Sequence, residues 1–399
     1  MLLKRIIFRL FKSNRYSYVA LISAIEKEDI QIEIILEKNF EKILEYNPKD
    51  TLIAYSFMSF DIFDVEKEIP ILKEKGFKIV AGGPHPSAMP ENTLNIGFDY
   101  IFVGEGEKNF TDFLKNILNN IEIKNKIIFS TDIVDLNKYP PFAIKNQHFM
   151  PIEITRGCPF LCGYCQTPNL FGRKVRHRDV EIILEYAKKG IKFNRKIARF
   201  ITPNAFGYGS KNGVIPNVEK IEELLFNLKK IGMEEIYLGS FPSDVRPESV
   251  TPEVLKIIKK YVDNNMIIIG AQSGSERILN KIKRGHNLEI VERALALLND
   301  YGFIPYVDFI FGFPFETDED IKKTFDFMDK ITEKYNAVIH SHTFMPLPGT
   351  PLFNTGPGKL NKKYYKKLGD LSRDEKLGGY WHKQEQLSLK LYNHFFGGE

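Results

Sequence analysis

The sequence is poor in cysteine, and this scarcity limits the cross-links and metal sites that it can form. Its 399 residues include three cysteines, Cys158, Cys162 and Cys165, which all fall within one run of eight positions. An odd number of clustered cysteines excludes a disulfide framework of the kind that stabilises small secreted proteins. A zinc knuckle needs four ligands, and the sequence has no fourth cysteine and no histidine at knuckle spacing, so zinc is the weaker interpretation.

The sequence also lacks long apolar runs and a strong excess of charge. It contains no uninterrupted apolar stretch of about 18 residues, so we expect no membrane span. Residues 1–10 are too short and too charged for a signal peptide, which favours the cytoplasm. The formal net charge of +5 is small for a dedicated nucleic-acid-binding protein, so nucleic acid is permitted as a partner but not indicated.

Short β-branched or aromatic runs alternate with helical periodicity over residues 1–130. The predicted strands are Lys4–Leu10, Ile30–Leu36, Thr51–Ser59, Phe77–Gly83 and Phe98–Gly104. Strands that are separated by one helix each imply right-handed crossovers and a parallel, doubly wound sheet of the α/β class. Ligands of such sheets lie beyond the carboxyl ends of the strands.

A second run of strand–helix units follows a predicted linker at residues 131–150, where Pro140 and Pro141 interrupt helix and sheet alike. Its predicted strands are Pro151–Thr155, Ala198–Thr202, Glu235–Leu238, Met266–Gly270, Tyr306–Phe311 and His340–Phe344. Six such units over residues 151–351 predict a partial (β/α)6 TIM-type barrel, with functional loops at its carboxyl-terminal rim. Residues 352–399 are predicted to form a helical cap.

The spacing of the cysteines, CxxxCxxC, indicates an iron–sulfur cluster, because three soft thiolates on one loop leave one iron of a four-iron cube without a protein ligand. With Tyr164 before Cys165, the pattern resembles the signature of the radical S-adenosylmethionine superfamily. This resemblance implies a [4Fe-4S] cluster on the three cysteines. Its open iron would chelate S-adenosylmethionine, and an electron from a donor such as ferredoxin or flavodoxin would split the sulfonium to give a 5′-deoxyadenosyl radical.

Three further runs in the predicted barrel resemble the methylthiotransferase-like branch of the same superfamily. They are GAQSGS at 270–275, KRGH at 283–286 and FGFPFET at 311–317, and they occur in the order and at the spacing of that branch. In that branch the protein also carries three further cysteines for a second cluster, and this sequence lacks them.

Polar residues after successive predicted strands are candidates to bind S-adenosylmethionine. By resemblance, Asn204 would bind the methionyl amino group, although the common GGE form of that loop is missing. Ser240, Gln272 and Ser273 offer hydroxyl and amide groups for ribose or methionyl oxygens, and Arg284 could pair with a carboxylate. A plain turn at Ser240 and a surface or helix-capping role for Arg284 are the alternatives.

Two glycine-rich turns end strands of the first domain and resemble loops of the cobalamin-binding domain that precedes many radical enzymes. The candidate cofactor-binding residues in them are Gly82, Gly83, His85, Gly104 and Glu105. The DxHxxG signature that supplies a histidine to cobalt is absent, so His85 is not equated with that ligand. Binding without a protein ligand to cobalt, and a domain that binds no cobalamin, both remain open.

The resemblances favour a radical S-adenosylmethionine enzyme that methylates an unactivated carbon with the help of cobalamin. The alternatives are a methylthiotransferase-like enzyme acting on tRNA or protein, a radical enzyme whose first domain binds nothing, and a noncatalytic scaffold that kept the fold. No motif identifies the substrate. Asp308, His340 and His342 could point into the barrel or be core polar groups, and Glu316 is expected to cap the next helix.

Overall fold

The computed structural model describes residues 3–130, 132–373 and 377–397. The chain forms two compact units. Unit 1 comprises Met1–Met150 and Asn169–Phe171, and unit 2 comprises Pro151–Pro168 and Gly172–Glu399. Among the described residues, no helix combines the length and the apolar character that crossing a bilayer requires.

Unit 1 is built on one six-stranded parallel sheet with the strand order β2-β1-β3-β4-β5-β6. The strands are β1 (Arg5–Arg9), β2 (Glu33–Glu37), β3 (Thr51–Ser56), β4 (Lys78–Gly82), β5 (Tyr100–Val103) and β6 (Ile127–Phe129). The helices are α1 (Arg15–Lys27), α2 (Phe40–Ile43), α3 (Ile62–Glu74), α4 (Pro84–Ala88), α5 (Pro90–Ile96) and α6 (Gly106–Leu118). This is the doubly wound sheet that the sequence predicts, with β6 added at one edge.

The strand order reverses between β1 and β3, and this reversal opens a crevice at their carboxyl ends where such folds bind ligands. The buried hydroxyl of Tyr18 ties the two strand ends together, because it donates to the Arg9 carbonyl at 2.5 Å and accepts from the Ser56 amide at 2.9 Å. Beside it, Ser13 Oγ donates to Asp61 Oδ2 at 2.7 Å. Polar side chains therefore gather at the ligand-binding edge of this sheet.

Unit 2 contains nine strands and nine α-helices in its described part, and α7 extends into the segment that belongs to unit 1. The strands are β7 (Ile152–Glu153), β8 (Thr155–Arg156), β9 (Arg176–His177), β10 (Ile197–Ile201), β11 (Glu235–Tyr237), β12 (Met266–Gln272), β13 (Ile304–Phe311), β14 (Val338–Thr343) and β15 (Leu377–Gly378). The helices are α7 (Thr167–Phe171), α8 (Val180–Ile191), α9 (Val218–Lys230), α10 (Pro252–Tyr261), α11 (Glu276–Lys281), α12 (Leu288–Asp300), α13 (Asp318–Tyr335), α14 (Tyr365–Arg373) and α15 (Trp381–Phe396).

Seven parallel strands of unit 2 form the wall of a partial barrel. One sheet has the order β7-β10-β11 and another the order β12-β13-β14-β15. The amide of Ile268 donates to the Gly239 carbonyl at 2.8 Å, and Val245 forms a parallel bridge with Ile269, which joins the two sheets. The predicted fold class, a doubly wound sheet followed by a partial barrel, is confirmed. The helical C-terminal segment also contributes the strand β15 to the wall.

Candidate functional site

The three cysteines lie on one loop that follows β8 at the carboxyl-terminal rim of the barrel. The amide of Cys158 donates to the Gly172 carbonyl at 3.2 Å, and the amide of Cys165 donates to the Cys162 carbonyl at 3.0 Å. Cys162 is 5% exposed, and the other two are half-buried. Burial raises the pKa of the Cys158 thiol. Three thiols on one fixed backbone turn match the donor set of a site-differentiated iron–sulfur cluster.

Two backbone hydrogen bonds at Gly163 hold the middle of the cysteine loop. The Gly163 amide donates to the Ile282 carbonyl at 2.9 Å, and its carbonyl accepts from the Leu352 amide at 3.0 Å. A Cβ at Gly163 would lie 2.8 Å from Leu352 Cγ, so a larger residue would force the Leu352 side chain to move. The loop is thus clamped between the end of α11 and the segment after β14.

Gly157 gives a direct test of this loop's backbone. Its φ is +85°, and a Cβ there would lie 2.2 Å from the Lys174 carbonyl oxygen. Gly172 has a similar φ of +73° but nothing within 4 Å of a Cβ. We expect Gly172→Ala to cost roughly 1–3 kcal/mol of unfolding free energy, because its φ of +73° and ψ of 177° define a conformation that essentially only glycine adopts. Gly157→Ala should cost more and should lower the iron retained after reconstitution. Equal Tm and iron content for the two variants would contradict the steric argument.

Arg284 connects the cysteine loop to the barrel wall. Its Nη1 lies 3.6 Å from Cys162 Sγ, and its Nη2 donates to the Gly270 carbonyl at 2.7 Å. Burial opposes its charge, but Tyr164 and Cys162 outweigh burial and hold the pKa of Arg284 above its usual value. A buried, permanent cation therefore faces the sulfur of Cys162.

A second buried cation, Arg246, flanks the same loop, and the sequence analysis missed it. Its guanidinium carbon lies 3.3 Å from the ring centre of Phe160, and its Nη2 donates to Glu248 Oε1 at 2.6 Å and to the Arg284 carbonyl at 2.6 Å. Burial would raise the pKa of Glu248, but His286 and Arg246 lower it to about 2. The signal in the sequence was the polar run Arg246-Pro-Glu248 beyond a predicted strand.

The side chains of Asn204 and Ser240 differ in their hydrogen bonding. The Asn204 amide donates to the Gly213 carbonyl at 2.9 Å and to Ser249 Oγ at 2.8 Å, and its oxygen accepts from the Arg246 amide at 3.1 Å. Asn204 therefore already organises the rim loops. In contrast, Ser240 Oγ is buried and has no hydrogen-bond partner within the described residues. An orphaned hydroxyl at the rim fits a bound polar ligand.

Gln272 and Ser273 follow a break in the pairing of β12. The register shifts between Gly270 and Gln272, and Gln272 has a φ of +78°. A Cβ at Gly270 would lie 2.7 Å from Gln272 Nε2 and 2.6 Å from Arg284 Nη2, so glycine makes room for both polar groups. Ser273 Oγ accepts from the Ser275 amide at 3.1 Å. Backbone strain of this kind is concentrated at functional sites.

Glu316 does not cap α13, so that expectation is wrong. The cap is Thr317, whose side chain accepts from the Asp320 amide, while the Asp320 side chain bonds back to Thr317. Glu316 Oε2 instead accepts from the Gly312 amide at 2.7 Å, and burial raises the pKa of Glu316 to about 8. The reciprocal hydrogen bonds between Thr317 and Asp320 already cap the first turn of α13. The Glu316 side chain is therefore not needed there and bonds the Gly312 amide instead.

The raised pKa of Glu316 predicts a pH-dependent stability. The folded protein keeps this proton up to about pH 8, whereas an unfolded chain releases it near pH 4.3, so the free energy of unfolding should fall as pH rises between these values. Between pH 6 and pH 8.5 the free energy of unfolding of the wild type should therefore fall by roughly 1–3 kcal/mol more than that of Glu316→Gln, because one pKa unit corresponds to about 1.4 kcal/mol. Urea unfolding at pH 6 and pH 8.5 measures it. An identical pH slope in both proteins would contradict the assignment.

In unit 1, the candidate residues gather where β3, β4 and β5 end. Gly83 has a φ of +94°, and a Cβ there would lie 2.7 Å from Ser56 Oγ. Gly82 is the last residue of β4, and the Gly104 amide donates to Ser87 Oγ at 3.0 Å. The glycines thus let neighbouring turns approach closely at the ligand-binding edge of the sheet.

His85 and Glu105 are both buried. The His85 ring stacks on Phe57 with 5.2 Å between ring centres, and its Nδ1 lies 3.1 Å from Ser59 Oγ. Glu105 immediately precedes α6. His85 therefore packs beneath the turn rather than at its surface, and the cofactor roles of both residues remain predictions.

Inside the barrel, Asp308 lies between two histidines. Its Oδ1 is 2.9 Å from His340 Nδ1 and 3.8 Å from His342 Nε2. Burial would raise the pKa of Asp308, but the two histidines lower it, and the hydrogen bond to Asp308 raises the pKa of His340. Asp244 is exposed to solvent at its surface. Desolvation by the surrounding protein, together with the nearby charge of Asp308, raises the pKa of Asp244 to about 6.

Comparison with known protein families identifies both units. A family profile described as "Radical SAM superfamily" matches residues 152–328, and one described as "B12 binding domain" matches residues 14–114. The chain is 31% identical over 61% of its length to a putative methylthiotransferase of Methanocaldococcus jannaschii, and it spans 55% of that protein. It is 24% identical to the bacteriochlorophyllide d C-8(2)-methyltransferase of Chlorobaculum tepidum, over 90% of this chain and 76% of that protein.

Solved structures share the fold at low sequence identity. The radical S-adenosylmethionine methyltransferase TsrM of Kitasatospora setae, solved with cobalamin and a [4Fe-4S] cluster, superposes with a TM-score of 0.69 and 14% identity, covering 88% of this chain and 78% of TsrM. The cobalamin-dependent radical enzyme OxsB gives a TM-score of 0.63 at 20% identity, covering 82% of this chain and 52% of OxsB. The matched domains imply a [4Fe-4S] cluster, S-adenosylmethionine and cobalamin as cofactors. Residues 152–328 therefore match a radical S-adenosylmethionine domain, and residues 14–114, before them in the sequence, match a B12-binding domain.

Proposed function

We propose that this protein is a methyltransferase that delivers a methyl group from cobalamin to a carbon atom of its substrate. The observation that carries the proposal is the presence of a B12-binding domain and a radical S-adenosylmethionine domain in one chain. The similarity to the Chlorobaculum methyltransferase extends over 90% of this chain and supports the same reaction class. These two domains do not by themselves specify the substrate.

In this proposal, the chain's own residues bind and position the two cofactors of the barrel. Cys158, Cys162 and Cys165 would supply the three thiolates of the cluster. Ser240, whose buried hydroxyl lacks a partner within the described residues, would bond an oxygen of S-adenosylmethionine, as would the amide of Gln272. When bound, the cluster and S-adenosylmethionine supply a 5′-deoxyadenosyl radical, and methylcobalamin supplies the methyl group.

The reaction also requires an electron donor and a reducing environment. A ferredoxin or flavodoxin would reduce the cluster, because the cluster itself holds no source of electrons. Oxygen-sensitive chemistry of this kind favours the cytoplasm as the site of action. Neither a nucleic-acid partner nor a membrane partner is needed for this chemistry.

A methylthiotransferase-like reaction is the second candidate, and the 31% identity to the Methanocaldococcus protein favours it. The three cysteines of the sequence argue against its usual form, because they supply thiolates for one cluster only. One cubane corresponds to about four irons per chain and two cubanes to about eight. Iron analysis therefore separates the two candidates.

Methyl transfer can be tested before the substrate is known. The reconstituted protein, reduced in the presence of S-adenosylmethionine labelled in its methyl group, should form labelled methylcobalamin. A small-molecule extract should then consume that label and yield a methylated product. If S-adenosylmethionine is cleaved to 5′-deoxyadenosine while cobalamin never acquires the label, the methyltransferase proposal is wrong. Label transferred from sulfide into the product would instead establish methylthiolation.

A further inference from the structure

Two adjacent barrel strands bring one carboxylate and two imidazoles to the same face. In the parallel pairing of β13 with β14, Asp308 lies opposite His340, and Ile310 lies opposite His342. Side chains alternate along a strand, so Asp308, His340 and His342 share one face. Phe309 and Ile339, on the other face, are fully buried. The three polar residues therefore point into the interior of the barrel, on a rigid part of its wall.

An ion pair alone does not account for this arrangement. His340 Nδ1 bonds Asp308 Oδ1 at 2.9 Å, which completes one ordinary pair. His342 Nε2 faces the same oxygen at 3.8 Å, beyond hydrogen-bond distance. The two imidazole rings are only 4.4 Å apart between centres. Two adjacent imidazoles would repel each other if both were protonated, whereas a single metal ion can bind a nitrogen of each.

The spacing of these three groups suits a metal ion. One nitrogen or oxygen atom from each residue lies within 4.8 Å of the others. Tetrahedral zinc with bonds of about 2.0–2.1 Å places its ligands about 3.3 Å apart. The observed separations of 2.9 Å and 3.8 Å from Asp308 Oδ1 lie on either side of that value. Two imidazoles and one carboxylate are a donor set that zinc and ferrous iron both accept.

The surroundings of the cluster also favour a cation. The His340 and His342 side chains are 39% and 31% exposed, so an ion can reach them from the barrel interior. Asp244 is solvent-accessible and lies near Asp308 and both histidines. With neutral imidazoles the cluster carries the single negative charge of Asp308. A divalent cation would offset it.

Gln384, on α15, contacts the ring nitrogen of His342 that would not bind the metal. Gln384 Oε1 accepts from the Thr343 amide at 2.9 Å, which fixes the orientation of the side-chain amide, and its Nε2 lies 3.2 Å from His342 Nδ1. The Gln384 amide therefore faces His342 Nδ1, and Nε2 is the ring nitrogen that faces Asp308. A metal at Nε2 puts the ring proton on Nδ1, and Gln384 must turn to accept it. A glutamate at this position could accept from both Nδ1 and the Thr343 amide without turning.

We propose that Asp308, His340 and His342 bind a divalent transition metal ion, zinc or ferrous iron, inside the barrel. Three protein ligands leave at least one position open toward the interior, where an oxygen or nitrogen atom of a substrate can coordinate. The proposal does not depend on the methyl-transfer reaction, because it concerns a site on the chain other than the cysteine loop.

Zinc is the probe for the first test. The reconstituted protein is dialysed against a low concentration of Zn2+, and bound zinc is counted by elemental analysis alongside iron. We expect about one zinc per chain, and a loss of affinity of at least 100-fold in the double variant His340→Gln/His342→Gln. His382→Gln, at a histidine that is 55% exposed, is the matched control and should keep its zinc. Equal zinc in the wild type and the double variant, or none in the wild type, would overturn the proposal.

Two further variants test whether zinc binds inside the barrel rather than at the cysteine loop. A protein with all three cysteines replaced by alanine should lose its cluster iron and sulfide but keep its zinc, because the cysteine loop contributes no ligand to the zinc site. Gln384→Glu should bind zinc roughly 10-fold more tightly, in line with outer-partner effects of 10- to 100-fold. Circular dichroism and Tm check that each variant is folded. An unchanged zinc affinity in Gln384→Glu would contradict the assignment of His342 Nε2 as a ligand.

Discussion

Replacing Cys162 by alanine should leave a folded protein that retains no four-iron cluster and cleaves no S-adenosylmethionine. The same complete loss should follow from Cys158→Ala and Cys165→Ala, because a cubane held by three thiolates has no spare protein ligand. The sequence contains no other cysteine that could substitute. Iron and sulfide analysis after anaerobic reconstitution, together with 5′-deoxyadenosine formation, measures the effect.

The three cysteine variants also control for one another. Cys162 is 5% exposed, whereas Cys158 and Cys165 are half-buried. If the cysteines served only to pack the loop, the damage would follow their burial and Cys162→Ala would be the most severe. Equal loss of iron in all three, with similar Tm values, is the expected result. A Cys158→Ala or Cys165→Ala protein that keeps its cluster would contradict the ligand assignment.

Replacing Arg284 by glutamine should lower the reduction potential of the cluster. The guanidinium faces Cys162 Sγ at 3.6 Å and is buried, so it places a positive charge and a hydrogen-bond donor against a sulfur. Hydrogen bonds to the sulfurs and net charge are two of the factors that set cluster potentials, and both stabilise the reduced state here. S-adenosylmethionine cleavage should slow with a mild reductant and recover with a stronger one.

The same change should destabilise the fold, since the Gly270 carbonyl loses its donor. We expect about 1–3 kcal/mol, the usual cost of leaving a buried polar group unsatisfied. Arg199, an exposed arginine stacked on Tyr237, provides the matched control variant Arg199→Gln. A potentiometric titration followed by electron paramagnetic resonance measures the potential. An unchanged reduction potential in Arg284→Gln, together with a lower Tm, would show that Arg284 stabilises the fold but does not tune the cluster.

Most of the barrel and sheet could be predicted, because buried parallel strands are short apolar runs flanked by turns. The exceptions are two short strands that can be recognised only from their hydrogen bonds to neighbouring strands. The strand β6 has three residues and an outer residue, Phe129, that is 58% exposed, so it has no buried pattern. The strand β15 has two residues and exists because Leu377 pairs with Ile339 far away in the sequence. Local sequence carries no signal for either one.

The site was only partly predictable for a similar reason. The spacing of the cysteines is local, so their common loop could be expected from the sequence. The partners of that loop are not local: Arg246 reaches the Arg284 carbonyl across 38 positions, and Asn204 bonds Ser249 across 45. Glu316 was misassigned because the identity of a helix cap depends on competition with Thr317. Tertiary contacts of this kind become visible only when the strands are assembled.

The central claim is that one chain holds both a cluster and cobalamin. Anaerobic reconstitution with iron, sulfide and hydroxocobalamin, followed by desalting, an optical spectrum and metal analysis, tests it most directly. We predict one cobalt and about four irons per chain. Four irons without cobalt would contradict the claim, and the first unit would then be a substrate or partner module.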